Sequence, residues 1–508
     1  MAAAVDPDRS EWDVIVLGGA AAGENAAQYA AQFSGLETVL VEAELVGGEC
    51  SYWACMPSKG LLRPVEVLNN ARHLPGVASL VGRAGVDVGA VLARRDAIVN
   101  NLDDASQVKW ALDTGIDVIR GYGRLTGERT LAVTAPDGSV RTITARHAVV
   151  IDTGTRAAVP DIPGLRAAHP WTSRDVTHVH RIPSRTAVLG GGVVGCESAT
   201  WLRGLGVEEL TLIHRGPGLL EKEEPFAGEL VAAELQKSGV DLRLGRSVVG
   251  VRRDDAGNTG VGLPHGGPAT LTLDDGSELT VDEIVVALGR TPSTGDIGLS
   301  SIGLPDGGFL AVDDQQAVQG VPGQWLYAIG DVSGRALLTH MGKYQARIVG
   351  EVIASRAGAA GVTGVTKAPG GFAAELSSAE GHRAVPQVTF TDPEVASVGL
   401  SERRAREAGI DVETVEYDMA ALAGTYLLRE DYAGRAKLVV DSATDTLVGA
   451  TFVGSGIADL LHAATVAVVG RVPLSALWHA VPSYPTPSEI WLRLLETLNR
   501  QRRLGDQG

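Results

Sequence analysis

Two of the chain's three cysteines, Cys50 and Cys55, stand five positions apart in GGECSYWACMPSK, between a glycine pair and a Pro-Ser-Lys. Such a pair could be a structural crosslink, a metal site or a redox couple. Zinc would need further Cys or His ligands, and no companion cysteine pair exists, so no metal centre is expected. In a straight helix, residues five apart rise about 7.5 Å and lie about 140° around the axis, whereas a disulfide needs Cα atoms roughly 4.4–6.8 Å apart. The two thiols are therefore unbridged, or the segment is distorted before a helix expected to begin near Pro57, a residue suited to the first helical position. A helix start there favours a thiolate at Cys55 through its positive end. Reducing compartments keep structural disulfides rare, so a bridge forming here is expected to be transient and catalytic. The redox couple is the reading that survives. Cys196 follows Gly195 at another helix start and reads as a small buried hydrophobe.

The elements that must position this pair belong to a large protein. At 508 residues the chain suggests two to four domains, and 44% hydrophobic with 21% charged residues is a globular composition able to bury large cores. The N-terminus, MAAAVDPDRSEWD, has neither a basic nor an apolar leader region, and no run of about 18 apolar residues occurs. A cytoplasmic address is expected. A formal charge of −17 argues against nucleic acid or an anionic membrane as a partner, since both need basic patches.

The chain's 64 glycines concentrate at strand-to-helix turns. WDVIVLGGAAAGENAAQYAAQ reads as a buried strand from Val14 to Leu17, a tight turn carrying Gly18, Ala20 and Gly23, and a helix with an alanine-rich face. ETVLVE follows as a strand closing with Glu42. This is the dinucleotide pattern of tight turn, phosphate-facing helix start and ribose-binding acid, with Ala20 in place of the middle glycine. A second copy, RTAVLGGGVVGCESATWLRGLG, has Gly190, Gly192 and Gly195 after a strand from Thr186 to Leu189. Its partner strand LTLIHR ends in His214 and Arg215, which could pair with a 2′-phosphate where a carboxylate would repel it, and so favours NADPH over NADH. AVVIDTGT (148–155, with Thr153 and Gly154), IVVALGRTP (284–292, with Gly289) and LYAIGDVSG (326–334, with Gly330 and Asp331) are apolar strands ending at a glycine, where backbone can pass close to a cofactor.

As a set these segments resemble the pyridine-nucleotide disulfide oxidoreductases, the flavoprotein family that includes lipoamide dehydrogenase, glutathione reductase and mercuric reductase. The likeness covers nearly the whole chain. It implies an α/β fold with two Rossmann-like domains and an α+β C-terminal dimerisation domain. The FAD domain would comprise residues 1–155 and 285–370, the NAD(P)H domain 156–284, a linker 371–384 and the dimerisation domain 385–508. FAD would then be held by Gly18, Ala20, Gly23, Glu42, Gly48, Lys59, Thr153, Gly154, Gly330 and Asp331. NAD(P)H would meet Gly190, Gly192, Gly195, His214 and Arg215, and Gly289 would lie where the backbone passes close to a cofactor. Cys50 matches the family's interchange thiol and Cys55 its charge-transfer thiol, while Lys59 and Glu197 match its ion pair near the flavin. Tyr52 and Trp53 replace the small residues usual in this loop, either shaping the acceptor side or packing.

Around the linker, RAGAAGVTGVTKAPGG and AELSSAEGHRA read as a small-residue, mobile bridge. Beyond it, period-two strands and helices over 455–469 and 486–500 give α+β character. At the C-terminus the family carries His-Pro-Thr and then Ser-Glu, the His serving as acid/base and the Glu orienting it. This chain has SYPTPSEIW, with Tyr484 at the His position and Glu489 retained. A phenol of ordinary pKa about 10 cannot cycle protons at neutral pH as imidazole does. Mercuric reductase is similar in carrying a Tyr here but needs a C-terminal cysteine pair, which RLLETLNRQRRLGDQG lacks. His479, five residues earlier, reads as a helix-end residue. The expectation is a homodimeric, FAD-containing NAD(P)H oxidoreductase whose redox disulfide feeds a quinone, a metal ion or an oxidised small molecule. The alternatives are a dithiol or disulfide reductase such as lipoamide dehydrogenase and, from another class, a non-catalytic flavoprotein sensor or scaffold.

Overall fold

Uninterrupted apolar strands such as Val14–Val16, fully buried here, require cover on both faces and therefore a parallel sheet flanked by other layers. The computed structural model, which describes residues 6, 8–32, 34–358 and 375–505, meets that requirement in two compact units. The first comprises Met1–Met56, Asp96–Arg156 and Arg290–His382. Its seven-stranded sheet runs Ile116–Arg120, Thr38–Glu42, Glu11–Leu17, Val140–Ile151, Thr130–Thr134, Tyr122–Gly127, with Leu326–Ala328 also paired to Val140–Ile151. Leu17 lies beside both Val41 and Ile151, so the three strands stop together. Gly18, Glu42 and Asp152 consequently share one edge, the carboxyl end at which open α/β sheets bind ligands. Helix Ala21–Ala31 turns its alanines inward. They let helix Thr339–Arg356 approach so closely that a methyl added at Gly350 would lie 2.4 Å from the Tyr29 Cβ.

The second unit comprises Pro57–Arg95, Ala157–Gly289 and Arg383–Gly508. Its parallel sheet runs Asp241–Leu244, Glu209–His214, Arg185–Leu189, Glu283–Val286, accompanied by the antiparallel strands Val248–Arg253, Ala269–Leu273 and Glu278–Val281. A five-stranded antiparallel sheet, Pro386–Thr389, Glu394–Gly399, Thr446–Gly454, Arg435–Asp441, Val412–Asp418, carries the C-terminal part. Ala464, Ile490, Leu494 and Leu498 share one core with its inner face.

Three sequence expectations shift. The helix placed over 455–469 is Leu460–Val469, because the N–H groups of Ile457 and Ala458 donate instead to the Glu394 carboxylate. The one placed over 486–500 is Ile490–Gly505, entered through a tight turn at Pro487–Glu489. Within the segment 371–384 expected to be a mobile linker, 371–374 lie outside the described residues, and the rest is anchored. Leu376 and Ser378 are buried, Ser378 donates its N–H to the Asp314 carbonyl at 2.8 Å and accepts from Gln316 at 2.7 Å, and Ala379–Arg383 is helical. Among the described residues no helix is long and apolar enough to cross a membrane.

Candidate active site

The cysteine segment is a broken helix. Gly48–Tyr52 forms one short helix and Cys55–Arg72 the next. The second starts at Cys55 rather than near Pro57, which becomes its third residue. Of the two geometries open to the sequence, the distorted one holds, and the break brings the thiols together. Neither is in a disulfide in this structure, and both are half-buried. A hydrogen bond to Cys55 and burial push the Cys50 thiol up, while the Thr339 hydroxyl and the Lys343 cation pull the other way. Thr339 Oγ1 also stands 3.5 Å from Cys55 Sγ. Neither Thr339 nor Lys343 was legible in the sequence, since they lie almost 300 positions downstream. Thr339→Val keeps the shape and deletes the hydroxyl. Alkylation of Cys50 in the reduced protein should then slow about fivefold at fixed pH, as for a lost hydrogen bond of about 1 kcal/mol. Mass-spectrometric alkylation kinetics measure it, and unchanged rates would detach Thr339 from the thiols.

The first glycine turn is built for close approach. Gly18 has φ +103°, and a methyl there would lie 2.2 Å from the Asp152 carbonyl oxygen; one at Gly23 would lie 2.0 Å from the Gly18 carbonyl. Ala20 precedes the helix in extended conformation, and a methyl added at Gly48 would sit 2.5 Å from the Ala20 Cβ. The methyl that Ala20 adds to the pattern thus fills space that Gly48 leaves. Glu42 accepts from the Gly19 and Glu44 N–H groups at 2.7 Å each, and Asp152 accepts from Gly23 N–H. Burial raises both carboxyls above their usual range. Gly154 (φ +68°) faces open space, and the Thr153 hydroxyl beside it is buried with no hydrogen-bond partner among the described residues. Gly330 donates its N–H to the Gln345 side chain at 2.7 Å, and Asp331 is held by a clamp the sequence did not reveal. Arg290 donates to the Thr155 hydroxyl and, at 2.7 Å, to its carbonyl, while that hydroxyl donates to Asp331 at 2.6 Å. An open turn, an orphaned hydroxyl and a strand-end acid fit the adenosine diphosphate part of FAD.

The second turn repeats the pattern. Gly190 has φ +117°, a methyl at Gly195 would lie 1.9 Å from the Gly190 carbonyl oxygen, and Gly192, at the start of helix Val193–Gly204, faces open space, as does Gly289. His214 closes its strand with the imidazole against Gly191, 3.6 Å from the Glu221 carboxylate, and Arg215 is exposed. Cys196 is fully buried, its thiol pushed up to about 12 by burial, as suits a packing residue.

One turn after Cys55, Lys59 Nζ contacts Glu197 Oε2 at 2.8 Å. The other Glu197 oxygen accepts from the Phe390 N–H at 2.9 Å, and Lys59 lies 4.8 Å over the Phe390 ring. Phe390 gave no signal in the sequence. Tyr52 is buried, with burial pushing its phenol up to about 12, so it packs. His479 is exposed at the end of helix Leu474–Leu477, its N–H on the Ala476 carbonyl. Tyr484 is 74% exposed. Glu489 is buried and accepts from Arg493 at 2.6 Å, its second oxygen without a partner among the described residues.

Comparison with known proteins agrees with this geometry. Residues 12–347 match the family described as pyridine nucleotide-disulphide oxidoreductase, and residues 385–494 match its dimerisation domain. The dihydrolipoyl dehydrogenase of Chlorobaculum tepidum is 31% identical over 486 residues, 94% of this chain and 95% of that protein. The mercuric reductase of Staphylococcus aureus is 28% identical over 94% of this chain and 81% of its own. The solved structure of LpdA from Mycobacterium tuberculosis superposes with a TM-score of 0.78 at 24% identity, covering 96% of this chain and all of that one, a likeness of fold.

Proposed function

Since the chain belongs to the pyridine nucleotide-disulphide oxidoreductase family, we propose that this flavoprotein oxidoreductase carries electrons from NAD(P)H to a small acceptor other than a disulfide: a quinone, a metal ion or an oxidised small molecule. FAD, when bound along Gly18–Gly23, Glu42, Thr153 and Asp331, supplies hydride acceptance and two-electron release. Cys50 and Cys55 then interconvert between disulfide and dithiol, two electrons and two protons at a time, with Cys50 toward the acceptor and Cys55 toward the flavin. Lys59 and Glu197 match, by resemblance, the family's ion pair near the flavin. The FAD domain is taken as residues 1–155 and 285–370, the NAD(P)H domain as 156–284 and the dimerisation domain as 385–508. In a homodimer the exposed apolar residues Val466, Trp478 and Val481 would be covered by the partner. Which nicotinamide donor serves turns on the charge at the end of strand Glu209–His214, where His214 and Arg215 by themselves favour a 2′-phosphate.

One observation carries the choice of acceptor. At the place of the family's imidazole stands Tyr484, mostly in solvent, and the Glu489 that would orient a base is bound to Arg493. A departing thiolate therefore lacks a proton donor near neutral pH, and such help is worth about a hundredfold to ten-thousandfold. Tyr484→His is expected to raise reduction of lipoamide-type and glutathione-type disulfides by about tenfold or more relative to quinone or metal reduction, read in steady-state assays over an acceptor panel. Fast wild-type turnover of a dithiol at pH 7, untouched by Tyr484→Phe, would sink this reading. It would restore the dithiol alternative that the similarity to dihydrolipoyl dehydrogenase supports. A flavin spectrum unmoved by NAD(P)H would instead point to a non-catalytic flavoprotein.

A further inference from the structure

The segment that follows strand Glu209–His214 carries a carboxylate back to the strand's end. Residues 215–221 loop outward and return, pinned where the Leu220 N–H donates to the Gly191 carbonyl at 2.9 Å, inside the second glycine turn. The return sets Glu221 against Gly216, two residues beyond the strand. A methyl added at Gly216 would lie 2.2 Å from Glu221 Oε1 and 2.7 Å from Oε2. Glu221 Oε2 is 3.6 Å from His214 Nε2, with side-chain exposures of 48% and 16%. The imidazole in turn rests on the glycine turn, since a methyl at Gly191 would meet its Cγ and Cδ2 at 2.8 Å.

The charges around this strand end are mostly engaged. His214 faces Glu221, and Arg246, whose N–H donates to the His214 carbonyl, pairs its guanidinium with Asp275 at 3.0 Å. Arg215 remains exposed. In a dinucleotide fold the group at this edge meets the adenosine ribose, where an acid accepts from the 2′-hydroxyl and a cation accommodates a 2′-phosphate. Sequence alone shows a strand ending His-Arg and lacking the acid. The fold supplies the acid from seven residues downstream.

We propose that Glu221 is the residue that sets nicotinamide-nucleotide specificity, accepting from the free 2′-hydroxyl and occupying His214 so that NADH is favoured over NADPH. This reverses the preference that the strand end by itself suggests, and it rests on the reading of Gly190, Gly192 and Gly195 as the nucleotide turn. A 2′-phosphate entering here would meet Glu221 at close range, with the exposed Arg215 and Lys222 as the nearby cations that could offset it.

The 2′-phosphate is isolated by a pair of fragments that need no redox chemistry, 5′-AMP and 2′,5′-ADP, titrated calorimetrically into the FAD-loaded enzyme. Wild type is expected to bind 5′-AMP at least as tightly as 2′,5′-ADP. Glu221→Gln should shift the ratio about tenfold toward 2′,5′-ADP, and Glu221→Arg further. Because Glu221 is half exposed, raising the ionic strength should shrink that shift. Glu221→Asp, which keeps the charge, should hold the wild-type ratio; a shift equal to that of Glu221→Gln would make the effect one of loop structure and overturn the assignment. So would a wild-type preference for 2′,5′-ADP that Glu221→Gln leaves unchanged. Failure of both fragments to bind wild type would remove the nucleotide reading of the turn, and Glu221's role with it.

Discussion

Cys55→Ser is expected to abolish the long-wavelength thiolate-to-flavin band that two-electron reduction gives the wild type, and to cut acceptor reduction at least about a thousandfold, the scale on which loss of a reacting nucleophile acts. Cys50→Ser should lose turnover equally but show the band already in the oxidised enzyme, because Cys55 then stands as an unbridged thiolate. The asymmetry follows from position. Cys55 opens an 18-residue helix, whose positive end favours its thiolate. Cys50 sits in the short helix before the break, its thiol raised by the hydrogen bond to Cys55 and by burial. Stopped-flow absorbance of the two serine variants reads the band, and intact-protein mass after alkylation confirms which thiol remains. Identical spectra from both would mean that the roles are assigned wrongly.

Lys59→Met is expected to destabilise the protein by about 2–3 kcal/mol, less than the roughly 3–5 of a fully buried pair because the Lys59 side chain is 36% exposed. The substitution leaves the Glu197 carboxylate, only 5% exposed, accepting from the Phe390 N–H without its lysine, and removes the cation over the Phe390 ring. Glu197→Gln should cost less, since a neutral amide oxygen can still accept from Phe390 and no charge is stranded. The double variant Lys59→Met/Glu197→Gln should regain part of the loss. Denaturant midpoints at constant slope measure all three. A Lys59→Met protein as stable as wild type would show that the carboxylate does not depend on the lysine.

The glycine turns and the cysteine spacing were legible in the sequence because their requirements are local. The backbone of Gly18 and Gly190 must take a positive φ, and nothing larger fits against the carbonyls of Asp152 and Ala287. Apolar runs bounded by such turns specify parallel strands without knowledge of their neighbours. The helix start at Cys55 was missed by two residues, because the break after Tyr52 depends on how the buried Tyr52 packs near Gly47. The tolerance of Ala20 likewise depends on Gly48, 28 positions away, a pairing no local pattern encodes.

What the sequence by itself determined, then, is the two glycine turns, the closely spaced cysteine pair and a tyrosine, Tyr484, where the family resemblance places a histidine, all of them properties of a few consecutive residues. Only the tertiary structure decided which side chains surround them: Thr339 and Lys343 at the thiols, Phe390 at Glu197, Arg290 at Thr155 and Asp331, and Glu221 at His214. Those partners come from helix starts, strand ends and loop returns far along the chain, or from a loop whose path the sequence does not state. Their placement is set by strand register and helix packing, which depend on the whole core, so the charges and hydrogen bonds that tune the site have no signature in any short stretch of sequence.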